Sequence, residues 1–372
     1  MAPDVVGHDP RMGQDAARTV GVEEELMLVD PATGELTAVA EPALHAHRQD
    51  GDESPEVENE LFLQQLETST EPCGTADELV AEIRRGRRAV GEAARAAGAS
   101  AVAMPTAVLV DDEQDLTPKP RYQRIEAEYG ELARQSLVCA MHVHVEVDGD
   151  DEGVAVIDRI RPWLPVLIAL SANSPYWRGV DTRHASWRSQ IWSRWPSGGP
   201  QEPFGDVAGY RRTAARMMEW GASLDPGMLY FDVRLSESFP TVEIRVADVC
   251  PAADDAVTIA GLARALVCSA VRDDQPPLPM RTELLRAARW RAARWGMDGD
   301  LLDPQNGELV PAWDLVDRTL DSLDLGDDHD LLADGLAAIR ERGTGARLQR
   351  EAYGRRRTWG DVLDAVVERT LG

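Results

Sequence analysis

The chain has 372 residues, 43% hydrophobic and 28% charged, a globular balance with room for one large domain or two fused units. Its net charge of −26 argues against nucleic acid or an anionic membrane as the main partner, although local arginines or metal ions can still receive an anionic small substrate. Lys119 is the only lysine, so no P-loop Gly-Lys pair exists, and Cys73, Cys139, Cys250 and Cys268 form no CxxC pair and read as reduced thiols.

The opening stretch, MAPDVVGHDPRMGQDAAR, has no apolar signal core, and no apolar run is long enough to span a bilayer. The expectation is a cytoplasmic protein with a disordered segment over 1–17 and a single domain over 18–372, sheet-rich to 250 and mainly helical from 251. TVGVEEELMLVD (19–30) reads as a strand. Alternation puts Gly21, Glu23, Glu25 and Met27 on one face, and Val20, Val22, Glu24, Leu26 and Leu28 on the other. Glu24 is therefore separated from its neighbours and is expected to meet an arginine or solvent behind the sheet. Residues 49–57 read as a polar loop.

In ENELFLQQLETST (58–70), Gln65, Glu67 and Ser69 share a strand face. Glu60 falls on the opposite face unless a bulge or bend intervenes, whereas a helix would align it with Glu67; both geometries stay open. Thr75 and Glu78 form a capping box ahead of a helix. A strand is expected over 101–110, a loop over 111–120, and a helix over 121–136. LVCAMHVHVEV (137–147) is a strand with Leu137, Cys139, Met141, Val143, Val145 and Val147 on one face and His142, His144 and Glu146 on the other. An apolar helix over 154–173 is interrupted by Pro162 and Pro165. Two further strands, LYFDVRLS (229–236) and TVEIRVAD (241–248), place Tyr230, Asp232 and Arg234 together, and Glu243 with Arg245. Strands and helices do not alternate regularly, which favours an α+β fold with an antiparallel sheet.

Each strand alone is compatible with a sheet whose polar face looks at water. Together, Glu-x-Glu, His-x-His and Glu-x-Arg are a poor match to a solvated face. Adjacent carboxylates repel unless cations lie between them, and imidazole nitrogen and carboxylate oxygen are both metal ligands.

Seven stretches in order resemble the glutamate–cysteine ligase type 2 family, also called carboxylate–amine ligases: TVGVEEELMLVD, ELFLQQLETSTEPC, RYQRI, HVHVEV, LIALSANSPYWRGVDTRHASWRSQIWSRWPSGGP, FDVRLSESFPTVEIRVAD and RWGMDGDLLDP. The resemblance implies a glutamine synthetase-like fold, in which an antiparallel β-sheet funnel carries helices on its outer face, and makes 18–372 a catalytic domain. It implies ATP and two or three Mg²⁺ or Mn²⁺ ions, with metal ligands at Glu23, Glu25, Glu60, Glu67, His142 and Glu243. Glu60 comes from the resemblance alone. The implied reaction phosphorylates a carboxylate, usually the γ-carboxylate of glutamate. The acyl phosphate then passes to an amine, in the named activity that of cysteine. Partners are small molecules, with no nucleic acid or membrane, and a homodimer is compatible with the family.

Arg245, beside Glu243, is the candidate for stabilising the transferring phosphoryl group. Arg183 and Arg188 are candidates for substrate carboxylates or phosphates, against an even alternative of structural ion pairs. Trp187 and Arg234 are assigned to the substrate pocket with them; Trp177, Trp192 and Trp195 are further candidate walls. His144 is a ligand by face, although the family role fits His142 better. Glu146 replaces a glycine common in relatives and is an extra ligand, an arginine partner or a wall of the amine pocket. A zinc hydrolase built on His142 and His144 is the competing enzyme class, but it leaves Glu23, Glu25, Glu243 and Arg245 without a role. A non-catalytic binding module that kept the fold is the third reading.

Overall fold

The computed structural model describes residues 18–49, 55–109 and 114–371. The expected disorder over 1–17, most of the 49–57 loop and the junction at 110–113 lie outside the described residues.

Seven strands form one antiparallel sheet: β1 (Val20–Val29), β2 (Val57–Asn59), β3 (Gln65–Ser69), β4 (Ser100–Val102), β5 (Ala140–Glu146), and two more after the short hairpin of β6 (Tyr176–Trp177) and β7 (Val180–Asp181). These last two are β8 (Val233–Leu235) and β9 (Thr241–Asp248); a further hairpin, β10 (Asp300–Leu302) and β11 (Leu309–Pro311), stands apart. The order is β2-β3-β1-β5-β9-β8, with β4 pairing the far end of β1 at Met27–Val29. The long first strand is thus central, and Glu23 is paired with Ser69 on one side and His142 on the other.

The back of the sheet is apolar. Val22, Val143 and Ile244 enter one core with Ile157, Leu167 and Leu262, while Leu26 and Leu66 enter a second with Val90. A fully buried Leu or Ile contributes about 1.5–3 kcal/mol relative to exposure. Helices Asp150–Ile160, Leu164–Ser171 and Ala253–Arg272 cover the first core, and Ala76–Ala96 lies behind β1 and β3. The capping box is present: Thr75 Oγ1 accepts from Glu78 N (3.2 Å) and Glu78 Oε2 accepts from Thr75 N (3.0 Å). That helix approaches β3 so closely at Gly86 that a Cβ there would stand 2.7 Å from Thr68 Oγ1. The close approach delivers the next residue, Arg87, to the back of β1.

Several expected elements are shorter. The 101–110 strand stops at Val102, where Ala103–Pro105 leaves the ladder and Pro105 has no N–H to give. The 121–136 helix is split into Pro120–Tyr129 and Glu131–Arg134 by Gly130, at φ +52°. The apolar helix begins early, at Asp150, and breaks between Ile160 and Leu164. β5 begins at Ala140 and β8 is only three residues long. None of the described helices is long and apolar enough to cross a membrane.

Candidate active site

The polar face of the sheet forms the floor of a cleft of about 210 Å³. β1 supplies Glu23 and Glu25, β3 supplies Glu67 directly opposite Glu25, and β5 supplies His142. Glu60 joins them because β2 and β3 form a hairpin whose turn begins at residue 60, outside either strand's alternation. Its carboxylate is fixed by the Leu61 N–H (2.7 Å). The open question of its phase is resolved by a bend, not a helix.

Candidate ligand atoms fall into three overlapping groups, each within 4.8 Å: Glu25/Glu60/Glu67, Glu23/Glu67/His142 and Glu23/His144/Glu243. His142 Nδ1 lies 3.1 Å from Glu23 Oε2, and His144 Nε2 lies 3.2 Å from Glu23 Oε1. Burial pushes the Glu25 carboxyl up to about 8, with repulsion from Glu60 adding to it. Burial also raises Glu60, and it raises Glu67 well above the carboxylate range, with Glu60, Glu23 and Glu25 adding repulsion. For Glu23 burial acts upward too, but hydrogen bonds to His142 and His144 outweigh it and hold the carboxyl low. Burial, then Arg245, depresses the His142 imidazole to about 3, leaving it neutral near pH 7.

A set of buried and half-buried carboxylates that resist ionisation fits hard divalent cations, since a cation between them removes the repulsion. His142 Nε2 is buried without a hydrogen-bond partner, 4.0 Å from Glu25 Oε1, as a waiting ligand atom is. A pH dependence follows. With raised folded-state values, the metal-free protein loses stability as pH climbs from the unfolded carboxyl value near 4.5 toward about 8, because unfolding releases protons. Divalent metal displaces those protons. The rise in Tm produced by Mg²⁺ or Mn²⁺ is therefore expected to be larger at pH 8 than at pH 5.5 in thermal scans; an equal or smaller rise at pH 8 contradicts the assignment.

Glu243 is arranged differently. Arg234 grips it at 2.6 and 3.2 Å, and Arg245 Nη1 contacts Oε1, which Arg234 also reaches. The Arg234 guanidinium also donates to the carbonyls of Pro226 and Gly227. Glu243 thus already has two cationic partners, unlike Glu25 and Glu67. Burial, then Arg234, lowers Arg245 to about 10, which still leaves it charged at neutral pH.

β9 also carries a β-bulge. Met141 pairs with Ala247 but Val143 pairs with Ile244, so Arg245 and Val246 together oppose His142. Arg188, assigned from sequence to substrate, lies under that bulge. It is 1% exposed and donates to the carbonyls of Arg245 (3.0 Å) and Val246 (3.3 Å). Its charge is met by these carbonyls and by the buried Asp248 carboxylate at 3.9 Å, the structural ion pair of the alternative reading, and it does not line the cleft.

Three other candidates lie elsewhere. Arg183 is exposed, at φ +59°, and gives its carbonyl to Arg294. Trp187 packs with Trp177 and His184 outside the cleft lining. The Glu146 carboxylate accepts from Thr19 N (3.0 Å) and Oγ1 (2.9 Å), so it fastens the start of β1; among the described residues it pairs with no arginine, and Arg18 Nη1 donates to the Glu146 backbone carbonyl (3.0 Å) instead. His144 turns its Nδ1 to Thr241 Oγ1 (3.0 Å). Asp232 does not accompany Tyr230 and Arg234; it pairs with Arg289 at 3.1 Å. A hydrolase site on His142 and His144 alone leaves the Glu25/Glu60/Glu67 group unexplained.

The cleft wall is aromatic. Tyr230 contacts Trp192 and Trp195, with ring centroids at 4.5 and 5.2 Å, and Tyr122 and Ile125 complete it. Arg121, at the same wall, is held by Asp225 at 2.8 and 3.0 Å. Arg121 and Tyr122 belong to the RYQRI stretch, which sequence alone ties to no role. The signal that finds them is helical spacing: Arg121, Tyr122 and Ile125 lie on one side of the Pro120–Tyr129 helix.

The fold is shared with solved structures. A glutamate–cysteine ligase from Francisella tularensis in complex with AMP superposes with a TM-score of 0.70 at 13% identity, over 96% of this chain and 89% of that one. A bifunctional glutathione synthetase from Pasteurella multocida gives 0.69 at 13% identity, over 96% of this chain and 52% of that one. The shared fold is the glutamine synthetase-like one, and with the family match over nearly the whole chain it makes the protein an ATP-dependent ligase. The match of one family model over residues 19–369 is specific: the chain belongs to glutamate–cysteine ligase family 2. Relatives provisionally named glutamate–cysteine ligase 2 occur in Streptomyces coelicolor, 46% identical over 95% of this chain and 99% of that protein, and, as form 2-1, in Paenarthrobacter aurescens, 44% identical over 96% of each.

Proposed function

We propose that the protein joins the γ-carboxylate of L-glutamate to the amine of L-cysteine, using ATP and Mg²⁺ or Mn²⁺. The observation that carries this reading is the partly buried row Glu25/Glu60/Glu67–Glu23–His142, whose ligand atoms lie close enough to share cations, in a chain whose family bears that activity in its name. An oxygen of the acid's carboxylate attacks the γ-phosphorus of ATP, and ADP leaves with the bridging oxygen's electrons. The amine nitrogen then attacks the acyl carbon, phosphate departs, and the nitrogen loses a proton as the amide forms.

Phosphoryl transfer of this kind depends on positioning and charge cancellation. Divalent ions held by Glu23, Glu25, Glu60, Glu67 and His142 supply the cancellation when bound. Arg245, stabilised beside Glu243 and under the ring of Tyr230 at 5.9 Å, supplies a fixed positive charge to the transferring group. Arg234 holds Glu243 in place, and Trp192, Trp195 and Tyr230 exclude water from the acyl phosphate.

A phosphate-release screen of acids against amines, with Mg²⁺ and with Mn²⁺, tests the reading. Glutamate with cysteine is expected to head the panel, and EDTA to abolish release. A different leading pair moves the substrate assignment within the class; no release with any pair sinks the reaction itself.

A further inference from the structure

The bulge in β9 does more than interrupt a ladder. Along that strand Ile244 enters the apolar core and Arg245 lines the cleft, as alternation requires. Val246 and Ala247 then both enter the core, so the phase slips by one residue. Asp248 comes round to the side of its cross-strand partner Ala140, which is in phase with His142 and His144. An unbroken strand that kept Arg245 in the cleft would have sent Asp248 to the apolar side. Arg245 and Asp248, out of phase in the sequence, thus share one side of the sheet.

Asp248 anchors the chain segments beside it. Its carboxylate is buried and accepts from Asn173 N (2.9 Å), Ser174 Oγ (2.7 Å) and Ser186 Oγ (2.8 Å). The Ser174 hydroxyl also accepts from Arg188 N (3.0 Å), so the start of the Arg188–Trp192 helix is set relative to Asp248. From there the Arg188 side chain passes Asp248 at 3.9 Å and spreads over the bulge, with Nη2 on Arg245 O and Nη1 on Val246 O. One rigid, planar group therefore spans the carbonyls of both bulged residues. At the other end of the same short helix, Trp192 stands in the cleft wall.

We infer that Arg188 is a positioning residue for phosphoryl transfer: by clamping the two bulge carbonyls it fixes the backbone from which Arg245 reaches the transferring group. The inference rests on the reading of Arg245 as the charge that stabilises that group, and adds what aims it. Glu243 restrains Arg245 at the guanidinium, and Arg188 restrains it at the main chain. A misplacement of about 1 Å, caused away from the reacting atoms, costs up to about a hundredfold in rate. A lysine ammonium is a point charge and does not reproduce a two-pronged clamp.

Arg188→Lys keeps a buried cation beside Asp248 and so tests the clamp without stripping the charge. Its kcat for ADP formation is expected to fall about tenfold to a hundredfold, with the KM values of ATP, acid and amine within about twofold. On an Arg245→Met background the same change is expected to cost less than about twofold, because the group it aims is gone. Arg188→Gln, with an amide donor and no charge, is the second variant if Arg188→Lys does not fold, and carries the same expectations. An unchanged kcat overturns the proposal. So does an equal loss on both backgrounds, which a general loosening of the fold would give, or a change confined to the KM of acid or amine, which assigns Arg188 to the Trp192 wall. If Arg245→Met alone keeps the wild-type kcat, the reading of Arg245 fails and takes the inference with it. Calorimetric titration with Mg²⁺ needs no turnover: the affinity of a non-hydrolysable ATP analogue relative to ADP reads contact with the γ-phosphoryl. Arg188→Lys should shrink that ratio as Arg245→Met does, with the Kd of ADP within about twofold. An undiminished ratio overturns the proposal even where wild type turns over no acid–amine pair, the outcome that sinks the reaction instead.

Discussion

Glu67→Gln is expected to stop ATP-dependent phosphate release while raising the Tm of the metal-free protein. Glu67 faces Glu25 across β1 and β3 and lies in a three-carboxylate group with Glu60. Burial and the repulsion of its neighbours keep its carboxyl protonated well above the usual range, so ionisation at neutral pH is costly without metal. An amide is nearly isosteric and never ionises, which relieves that cost. The same change removes an anionic oxygen ligand, and with it the charge cancellation on which phosphoryl transfer relies. A loss of roughly a hundredfold to a thousandfold matches the removal of one electrostatic contact in comparable sites. Relief of the repulsion should add about 2 °C or more to the Tm without metal. Glu23→Ala is expected to abolish ADP formation likewise, in a protein that stays folded by circular dichroism. Near-normal turnover in either variant sinks the metal assignment, and a lower Tm for metal-free Glu67→Gln sinks the account of repulsion.

Glu24→Ala should do the reverse: a large loss of stability with turnover per folded molecule retained. Glu24 and Arg87 are 2% and 1% exposed, and the guanidinium grips the carboxylate at 2.7 and 2.8 Å. Desolvation of the pair is repaid only while both partners remain, so removing one leaves a buried, uncompensated charge at about 3–5 kcal/mol. Typical stabilities of about 5–15 kcal/mol make that a severe change. The double variant Glu24→Leu/Arg87→Met should recover only part of it, because Arg87 also donates to the carbonyls of Cys250 (2.7 Å) and Pro251 (3.0 Å), which then lose their donor. Urea unfolding midpoints measure both. A Glu24→Ala midpoint within error of wild type refutes the role.

The strand faces were legible because alternation is local: Glu23, Glu25, His142 and Glu67 share the cleft as the pattern required. Glu24 was correctly separated from them and meets an arginine, but the identity of that arginine, 63 residues away, depends on how a helix crosses the sheet. Arg188 was misdirected for a related reason. Sequence gives its charge, not its direction, and TVEIRVAD alternates so regularly that nothing announces the bulge it supports. Glu146 lies in phase with the histidines, yet Thr19 on the neighbouring chain segment takes it. Glu60 could be placed only by resemblance until the hairpin turn was seen, since a bend erases phase. The aromatic wall was partly anticipated in Trp192 and Trp195, while Arg121 and Tyr122 required the packing of a helix against the sheet.

Arg87 also sets an order of events. Besides Glu24, Cys250 and Pro251, its guanidinium reaches the carbonyl of Thr370, in the Trp359–Leu371 helix, at 3.4 Å, and the Thr370 hydroxyl accepts from Ala103 N (3.0 Å). The strand that carries Glu23 and Glu25 is made early by the ribosome, but the latch behind it is not complete until residue 370 has emerged. Throughout that interval the first strand lacks its final tether, and non-local contacts of this span are late ones in folding. The first of the described strands is thus among the last to be locked.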